Sequence, residues 1–329
     1  MNKLVKALKN IADKRVCVTG HEAPDGDCIG SSLAMGYLMK QLGIETLVVN
    51  NDTIPSKYAF LQNNIVVQKL SSLTDVEKES IEVLIVLDSA NEMRLGFNYR
   101  EIFKNLEAVF NIDHHISNNK FGDINYVKPV GATAEIVTRI YLACQQIIDV
   151  EPATALYAGI MTDTGNLTYE STSYRTVNLV SRLYKMGAQT NLVRRNIYEN
   201  ESINKLEALK IVLNNLNVSK SGEIAYTFLS KKDIDSLQLI SGDAEGYVDY
   251  PRKLDTCEVA LFLKEFEEDV VKVSVRTKEK IDANKLASSF GGGGHFRAAG
   301  FRKKGPILEV AESIVAKIEL GLNQNEWVD

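Results

Sequence analysis

The first half of the chain alternates short apolar runs with amphipathic stretches. Apolar, β-branched runs predict buried parallel strands at residues 15–20, 46–51, 83–88 and 108–113. Between the first two runs, residues 30–42 place Leu33, Leu38 and Leu42 at helical spacing. Strands that alternate with helices in this way are typical of βαβ units. We therefore predict an α/β fold with a doubly wound parallel sheet.

The pattern changes after residue 150. Helices are predicted at 153–161, with Asp163 in the loop that follows, and at 176–186, before Gly187. Residues 204–216 space leucines along one face and contain neither proline nor glycine, so the connection between the domains is predicted to be helical.

The C-terminal third has a mixed pattern. Alternating apolar and polar residues predict half-exposed strands at 224–229, 259–263 and 270–275. Asp282 is placed to N-cap a short helix at 283–290. The expected organisation is a doubly wound domain at 1–190, a helical linker at 191–216 and a smaller mixed α/β domain at 217–329.

Composition fits a globular chain of about two domains, with 329 residues of which 45% are hydrophobic and 25% charged. No apolar run approaches the roughly 20 residues that span a bilayer, and the first residues carry charges where a signal peptide would be apolar. We therefore expect a cytoplasmic protein with no membrane partner. The four cysteines form no CxxC or zinc-site spacing and are expected to be reduced and mostly buried.

All four histidines lie in clusters rich in acid or glycine: GHEAPDGD, NIDHHISN and GGGGHFRAAG. A histidine kept for packing has no reason to favour such surroundings. His21, Asp88 and the run Asp113, His114, His115 come at or just after the C-terminal ends of predicted strands. Ligands bind at that edge of open α/β sheets, so we expect these side chains to form one site.

The acidic residues of this predicted site favour a metal. Carboxylates a few ångströms apart raise each other's pKa and cannot all stay ionised without a cation. Imidazole together with carboxylate suits Mn²⁺, Fe²⁺ or Zn²⁺ better than the all-oxygen sites of Ca²⁺ or Mg²⁺, and the ligands suffice for two ions. Two metals roughly 3.5–4 Å apart, bridged by an aspartate and a water, are the usual device for cleaving a phosphoester. Each aspartate taken singly is as well explained as a turn or N-cap residue.

In combination, these segments resemble the DHH phosphoesterase superfamily. HEAPDGDCIGS, VLDSA, DHH and TDTGN follow the order of the family's motifs, and GGGGHFRAAG resembles the signature of the DHH-associated C-terminal domain. The segments SNNKFGDINYVKP and EGYVDYPR are similar to the bacterial branch that degrades very short RNA and acts on 3′-phosphoadenosine-5′-phosphate.

The resemblance implies two divalent ions, with Mn²⁺ the favoured metal. The implied ligands are His21, Asp25 and Asp88 for one ion, and Asp27, Asp88, His114 and Asp163 for the other. Asp88 bridges the two ions in this scheme. The resemblance also implies that His115 faces the substrate phosphate and that Asp113 orients a ligand histidine. Arg94, shortly after the second motif, is a candidate phosphate contact, although a surface ion pair explains it equally well.

The glycine-rich motif has its own physical interpretation. Gly292, Gly293 and Gly294 let the backbone approach a ligand closely and direct N–H groups at an anion, while His295, Arg276 and Arg297 supply side-chain contacts. A flexible hairpin is the structural alternative. Residues 272–304 contain nine Lys and Arg against two acids in a chain of net charge −5. A local positive region in an acidic protein suits a short anionic substrate better than long duplex DNA.

The sequence thus predicts a two-metal hydrolase of short single-stranded RNA or DNA, of about 2–5 nucleotides, and of a nucleoside bisphosphate. Linear or cyclic dinucleotides, as in cyclic di-AMP turnover, are an alternative substrate class. The C-terminal motif argues against a manganese-dependent inorganic pyrophosphatase. The complete ligand set argues against a nucleotide sensor without turnover. A homodimer is compatible with the sequence, which does not define the oligomeric state.

Overall fold

The computed structural model describes residues 1–239, 241–244, 246–324 and 326–327, without the side chains at 241, 242, 266 and 295. The chain divides into two compact units, Met1–Asn200 and Glu201–Asp329. Among the described residues, no helix is long and apolar enough to cross a membrane. All four cysteines are free and buried, as predicted.

The first unit contains a six-stranded parallel sheet. Its strands are β1 (Val16–Thr19), β2 (Thr46–Asn50), β3 (Val67–Lys69), β4 (Val83–Leu87), β5 (Ala108–Asp113) and β6 (Ile124–Val127). The order β3-β2-β1-β4-β5-β6 shows that the chain winds outward in both directions from β1 and β4. Apolar residues of β4 pack into one core cluster on each face of the sheet, which explains why its run is continuously hydrophobic. The predicted doubly wound parallel sheet is confirmed.

Helices cover this sheet. They are α1 (Asn2–Lys9), α2 (Gly26–Gln41), α3 (Asp75–Ser80), α4 (Tyr99–Ile102), α5 (Thr133–Cys144), α6 (Val150–Asp163), α7 (Tyr174–Lys185) and α8 (Thr190–Val193). Helix α2 lies directly against α6 because Gly30 has no side chain: a Cβ there would stand 2.3 Å from the carbonyl oxygen of Ala155. Helix α6 extends beyond the predicted 153–161, so Asp163 is its last residue and does not lie in the following loop.

The second unit contains a mixed sheet. Its strands are β7 (Asn217–Val218), β8 (Ile224–Leu229), β9 (Val259–Glu267), β10 (Val270–Thr277), β11 (Gly293–His295) and β12 (Ala298–Lys304), in the order β11-β12-β10-β9-β8-β7. Only the β8–β9 pair is parallel among the pairings described. Its helices are α9 (Ile203–Asn214), α10 (Lys231–Ser236), α11 (Asp249–Arg252), α12 (Ala283–Ser288) and α13 (Ile307–Asn323). The predicted mixed α/β architecture is confirmed, and Asp282 caps α12 as expected.

One strand prediction is wrong in detail. Residues 259–263 are buried on both faces and not half-exposed. Val259 and Leu261 pack into a core with residues of α12 and α13, while Ala260 and Phe262 pack on the opposite side with Tyr247. The uninterrupted apolar run at these positions is the signal of a strand covered on both faces.

Candidate metal centre

The C-terminal edge of the parallel sheet collects the predicted ligands. His21 follows β1, Asp88 follows β4, and His114 follows β5. Asp25 N-caps α2, where its Oδ1 accepts hydrogen bonds from the backbone N–H groups of the second and third residues that follow it. Asp163 ends α6. Parallel strands and two packed helices therefore bring together residues that are far apart in the chain.

Asp88 belongs to one of two groups of ligand atoms and lies close to the other. The first group is His21, Asp25 and Asp88, and the second is Asp27, His114 and Asp163, with the ligand atoms of each group within 4.8 Å of one another. Asp88 Oδ2 lies 3.6 Å from Nε2 of His21, while Oδ1 lies 3.4 Å from Nε2 of His114. Each oxygen of this buried carboxylate thus faces a different histidine, which is the arrangement a bridging ligand requires.

Both histidines are oriented for ligation through Nε2. The Nδ1–H of His21 donates to the carbonyl oxygen of Glu22 at 2.7 Å, and that of His114 donates to Val130 O at 3.0 Å. A ring whose Nδ1 carries the proton presents the Nε2 lone pair to a metal. His114 Nε2 lies 3.3 Å from Asp163 Oδ2, in the second ligand group. The donor set and its backbone supports fit divalent cations.

The charges of the site are unbalanced without a cation. Burial, together with the charges of Asp88 and Asp163, raises the pKa of Asp27 well above its usual range. Burial also raises the pKa of Asp163 to about 7, with His114 opposing the rise. Burial alone would lower the pKa of His21, but the carboxylates of Asp25 and Asp88 more than offset it and raise that pKa to about 10. Carboxylates that disfavour one another's ionised form in this way are stabilised by a bound cation.

A residue outside the predicted ligand set joins the two groups. Thr133 begins α5, and its hydroxyl donates to Asp88 Oδ1 at 3.0 Å. Its backbone N–H donates to Asp27 Oδ2 at 2.5 Å, and the N–H of Ala134 donates to Asp27 Oδ1 at 2.8 Å. The positive end of a helix therefore holds a buried carboxylate that lies 106 residues earlier. Nothing in the local sequence around Thr133 predicts contacts at that separation.

His115 forms a hydrogen-bonded pair with Asp113, and its Nδ1 also lies 3.8 Å from Asp88 Oδ1. Its Nδ1 donates to Asp113 Oδ1 at 2.7 Å. Burial tends to raise the pKa of Asp113, but the bonds from His115 and Asn118 outweigh that tendency and lower it. The carboxylate in turn raises the pKa of His115 against the opposing effect of burial. Asp113 thus stabilises the protonated, cationic form of the ring.

Cys28 lies in the first motif but is not set up as a nucleophile. Its thiol is buried, and burial together with the charges of Asp88 and Asp25 raises its pKa well above the usual range. A thiol held in its protonated form is a weak nucleophile.

The predicted substrate contacts are distributed over both units. Arg94 is exposed, and no ion pair among the described residues involves it. Arg276 lies on β10, whereas Arg297 donates to the carbonyl oxygens of Glu279 at 2.9 Å and Ile281 at 3.3 Å. The side chain of His295 lies outside the part of the chain that the structure describes.

The glycine-rich segment forms an ordered hairpin through β11 and β12. A Cβ on Gly292 would stand 2.2 Å from the carbonyl oxygen of Gly300, and one on Gly294 would stand 2.5 Å from that of Ala298. A Cβ on Gly293 would meet only Asn284 Oδ1, at 3.5 Å. Close strand packing therefore requires two of these glycines, while Gly293 has no such structural requirement.

Comparison with known proteins identifies both units. The model of the DHH family's N-terminal domain matches residues 15–160, and the model of the DHHA1 domain matches residues 221–323. The bifunctional oligoribonuclease and PAP phosphatase NrnA of Thermus thermophilus is 31% identical over 313 residues, which cover 94% of this chain and 90% of the relative. A relative from Streptococcus mutans, named a probable bifunctional oligoribonuclease and PAP phosphatase NrnA, is 29% identical over 289 residues. These residues cover 87% of this chain and 88% of the relative.

A solved structure supports the same conclusion. The exopolyphosphatase-related protein from Bacteroides fragilis superimposes with a TM-score of 0.88 at 26% identity, covering 99% of this chain and 97% of that one. The fold, the clustered ligands and these relatives show that the chain belongs to the DHH family of phosphoester hydrolases.

Proposed function

We propose that the chain hydrolyses short single-stranded oligonucleotides to mononucleotides, converts 3′-phosphoadenosine-5′-phosphate to AMP, and uses two Mn²⁺ ions for both reactions. The position of Asp88 carries this proposal, because its two oxygens face two histidines that are each oriented through Nδ1. The names of the two relatives support the substrate class. Residues 1–190 would form the catalytic domain, 191–216 a linker and 217–329 the substrate-binding domain.

The protein residues have distinct tasks in this reaction. The ligands of one ion would be His21, Asp25 and Asp88, and those of the other Asp27, Asp88, His114 and Asp163. When bound, two divalent ions lower the pKa of a water molecule and offset charge on the phosphoryl group. Asp113 holds the Nδ1 proton of His115, which stabilises a cationic ring beside the phosphoryl oxygens. No covalent nucleophile is required.

The second unit would bind the rest of the substrate. Arg276, His295 and the backbone N–H of Gly293 are assigned to substrate phosphates, and Arg94 to a phosphate near the metal ligands. Arg297 already donates hydrogen bonds to the carbonyl oxygens of Glu279 and Ile281, so any phosphate contact there uses its remaining N–H groups. The excess of Lys and Arg over acids at residues 272–304 supports an anionic ligand.

Gly293 offers a test of the glycine-rich segment. We expect Gly293→Ala to raise KM for a dinucleotide about tenfold, because a methyl group would obstruct a phosphate that approaches the backbone. The melting temperature should stay near that of the unaltered protein, since the added Cβ meets only Asn284 at ordinary contact distance. Gly292→Ala is the matched comparison and should lower the melting temperature. An unchanged KM in a stable Gly293→Ala protein would refute the phosphate contact assigned to Gly293.

A panel of substrates tests the proposed function. Steady-state turnover with Mn²⁺ would be compared for a dinucleotide, a five-residue RNA, 3′-phosphoadenosine-5′-phosphate, cyclic di-AMP and pyrophosphate. We expect the first three to be hydrolysed at least tenfold more efficiently than the last two. Preferred cleavage of cyclic di-AMP would move the assignment to cyclic dinucleotide turnover, and preferred cleavage of pyrophosphate would refute the oligonucleotide proposal.

A further inference from the structure

We propose that Asn118 is a positioning residue for His115. It would act by fixing the Asp113 carboxylate against the turn that carries Asp88, and thereby set the rate of phosphoester hydrolysis. The inference rests on the proposed contact of His115 with the substrate phosphate. Asn118 is neither one of the predicted metal ligands nor one of the predicted substrate contacts.

The amide nitrogen of Asn118 lies close to three acceptors. Nδ2 is 2.6 Å from Asp113 Oδ2, 2.8 Å from Asn111 Oδ1 and 3.1 Å from the carbonyl oxygen of Ser89. The shortest of these contacts is to the charged acceptor, as expected of a charge-assisted bond. Asp113 uses its other oxygen, Oδ1, to accept from His115. One carboxylate thus connects the ring to Asn118.

The orientation of the Asn118 amide is set from its other end. Oδ1 accepts a 2.6 Å hydrogen bond from the backbone N–H of Lys120, so the NH₂ group is the one that faces inward. Asp113, Asn111 and Ser89 are all buried. Asn118 therefore supplies a donor among acceptors that have no access to bulk water, where a missing hydrogen bond is costly.

The same group of side chains reaches the metal ligands. Asn111 Nδ2 donates to the carbonyl oxygen of Ser89 at 3.1 Å, in parallel with Asn118. Ser89 directly follows Asp88, whose φ of +55° places it in the left-handed region. The side-chain amides of Asn111 and Asn118 thus both hold the carbonyl group of Ser89, the residue after Asp88. The Asn118 amide also holds Asp113. Loss of Asn118 would free the His115–Asp113 pair to move relative to Asp88.

A double-mutant cycle tests this role. Asn118→Ala, His115→Ala and the double variant would be compared for kcat and KM on a dinucleotide at saturating Mn²⁺. We expect Asn118→Ala to lower kcat about 10- to 100-fold with KM changed less than about threefold. The double variant should be no slower than His115→Ala, because a residue that acts through His115 has no further effect once the ring is absent.

Further variants separate positioning from folding. Asn118→Asp has nearly the same volume but places an acceptor against the Asp113 carboxylate, so it should be at least as slow as Asn118→Ala. Asn119→Ala is the matched control: Asn119 is exposed, and its side chain makes no hydrogen bond to any described residue. It should retain the full rate. Calorimetric Mn²⁺ titration should give the same stoichiometry for all single variants.

The outcomes are distinct. The positioning role would be overturned by any of three results: losses that multiply in the double variant, a normal kcat for Asn118→Ala, or loss of metal from Asn118→Ala. A normal rate for His115→Ala would instead refute the proposed role of His115, and the inference with it. Absence of hydrolysis by the unaltered protein would refute the proposed function itself.

Discussion

Asp88→Asn is expected to lose at least one bound metal ion and to slow turnover on the order of a thousandfold, in a protein that stays folded. The substitution removes the charge of a carboxylate whose two oxygens face His21 and His114, and repulsion between two dications would then be less well offset. The fold should persist because asparagine tolerates the left-handed conformation that Asp88 adopts. Asparagine also keeps an oxygen that can accept from Thr133.

Elemental analysis of metal per chain, after equilibration with Mn²⁺ and removal of free ion, measures this effect. Circular dichroism would confirm folding. Asp13→Asn is a suitable control, because Asp13 is exposed and precedes β1, whereas the ligand His21 follows that strand. Full metal occupancy of Asp88→Asn at a near-normal rate would contradict the assignment of Asp88 as the bridge.

Much of this centre could be predicted from the sequence because parallel strands end at one edge. His21, Asp88 and His114 each follow a strand whose apolar run is unmistakable, so their proximity follows from the sheet topology. Asp163 was also predicted as a ligand, although it ends α6 and does not lie in the following loop. Helix α6 ends two residues later than predicted, and definitions of helix boundaries differ by about as much.

The supporting contacts could not be predicted in the same way. Thr133 donates hydrogen bonds to Asp27, which lies 106 positions earlier in the chain, and to Asp88, which lies 45 positions earlier. These contacts depend on where α5 begins relative to those two residues. Asn118 follows the DHH motif as an ordinary loop residue, and only its inward amide distinguishes it from Asn119. Hydrogen bonds of this kind follow from loop conformation, which hydrophobic periodicity does not report.

The glycine-rich segment shows a different limit. Both an anion-binding loop and a tightly packed hairpin require positions without a Cβ, so the run GGGG is equally compatible with either. The close approach of Gly292 and Gly294 to the next strand accounts for two of these positions by packing. Gly293 is the position at which a ligand requirement can be separated from a structural one.

Substrate length should have a large effect on catalytic efficiency. Residues 272–304 carry nine Lys and Arg against two acids, in a chain whose net charge is −5. Ionic screening limits the field of such a cluster to about 10 Å, which is only a few phosphates of an extended strand. Further nucleotides would contact a protein surface that is on balance acidic. We therefore expect efficiency to peak at about 2–5 nucleotides and to fall at least tenfold for a 24-residue strand.

A length series of end-labelled RNA, from two to about 24 residues, would show whether the protein prefers short substrates. Initial rates with Mn²⁺ would be measured for each length, with a circularised strand as the substrate that lacks an end. We expect the highest kcat/KM for di- to pentanucleotides, stepwise release of mononucleotides and poor cleavage of the circle. If the longest strands are cut fastest, or are cut internally from the outset, the protein is not a hydrolase of short oligonucleotides.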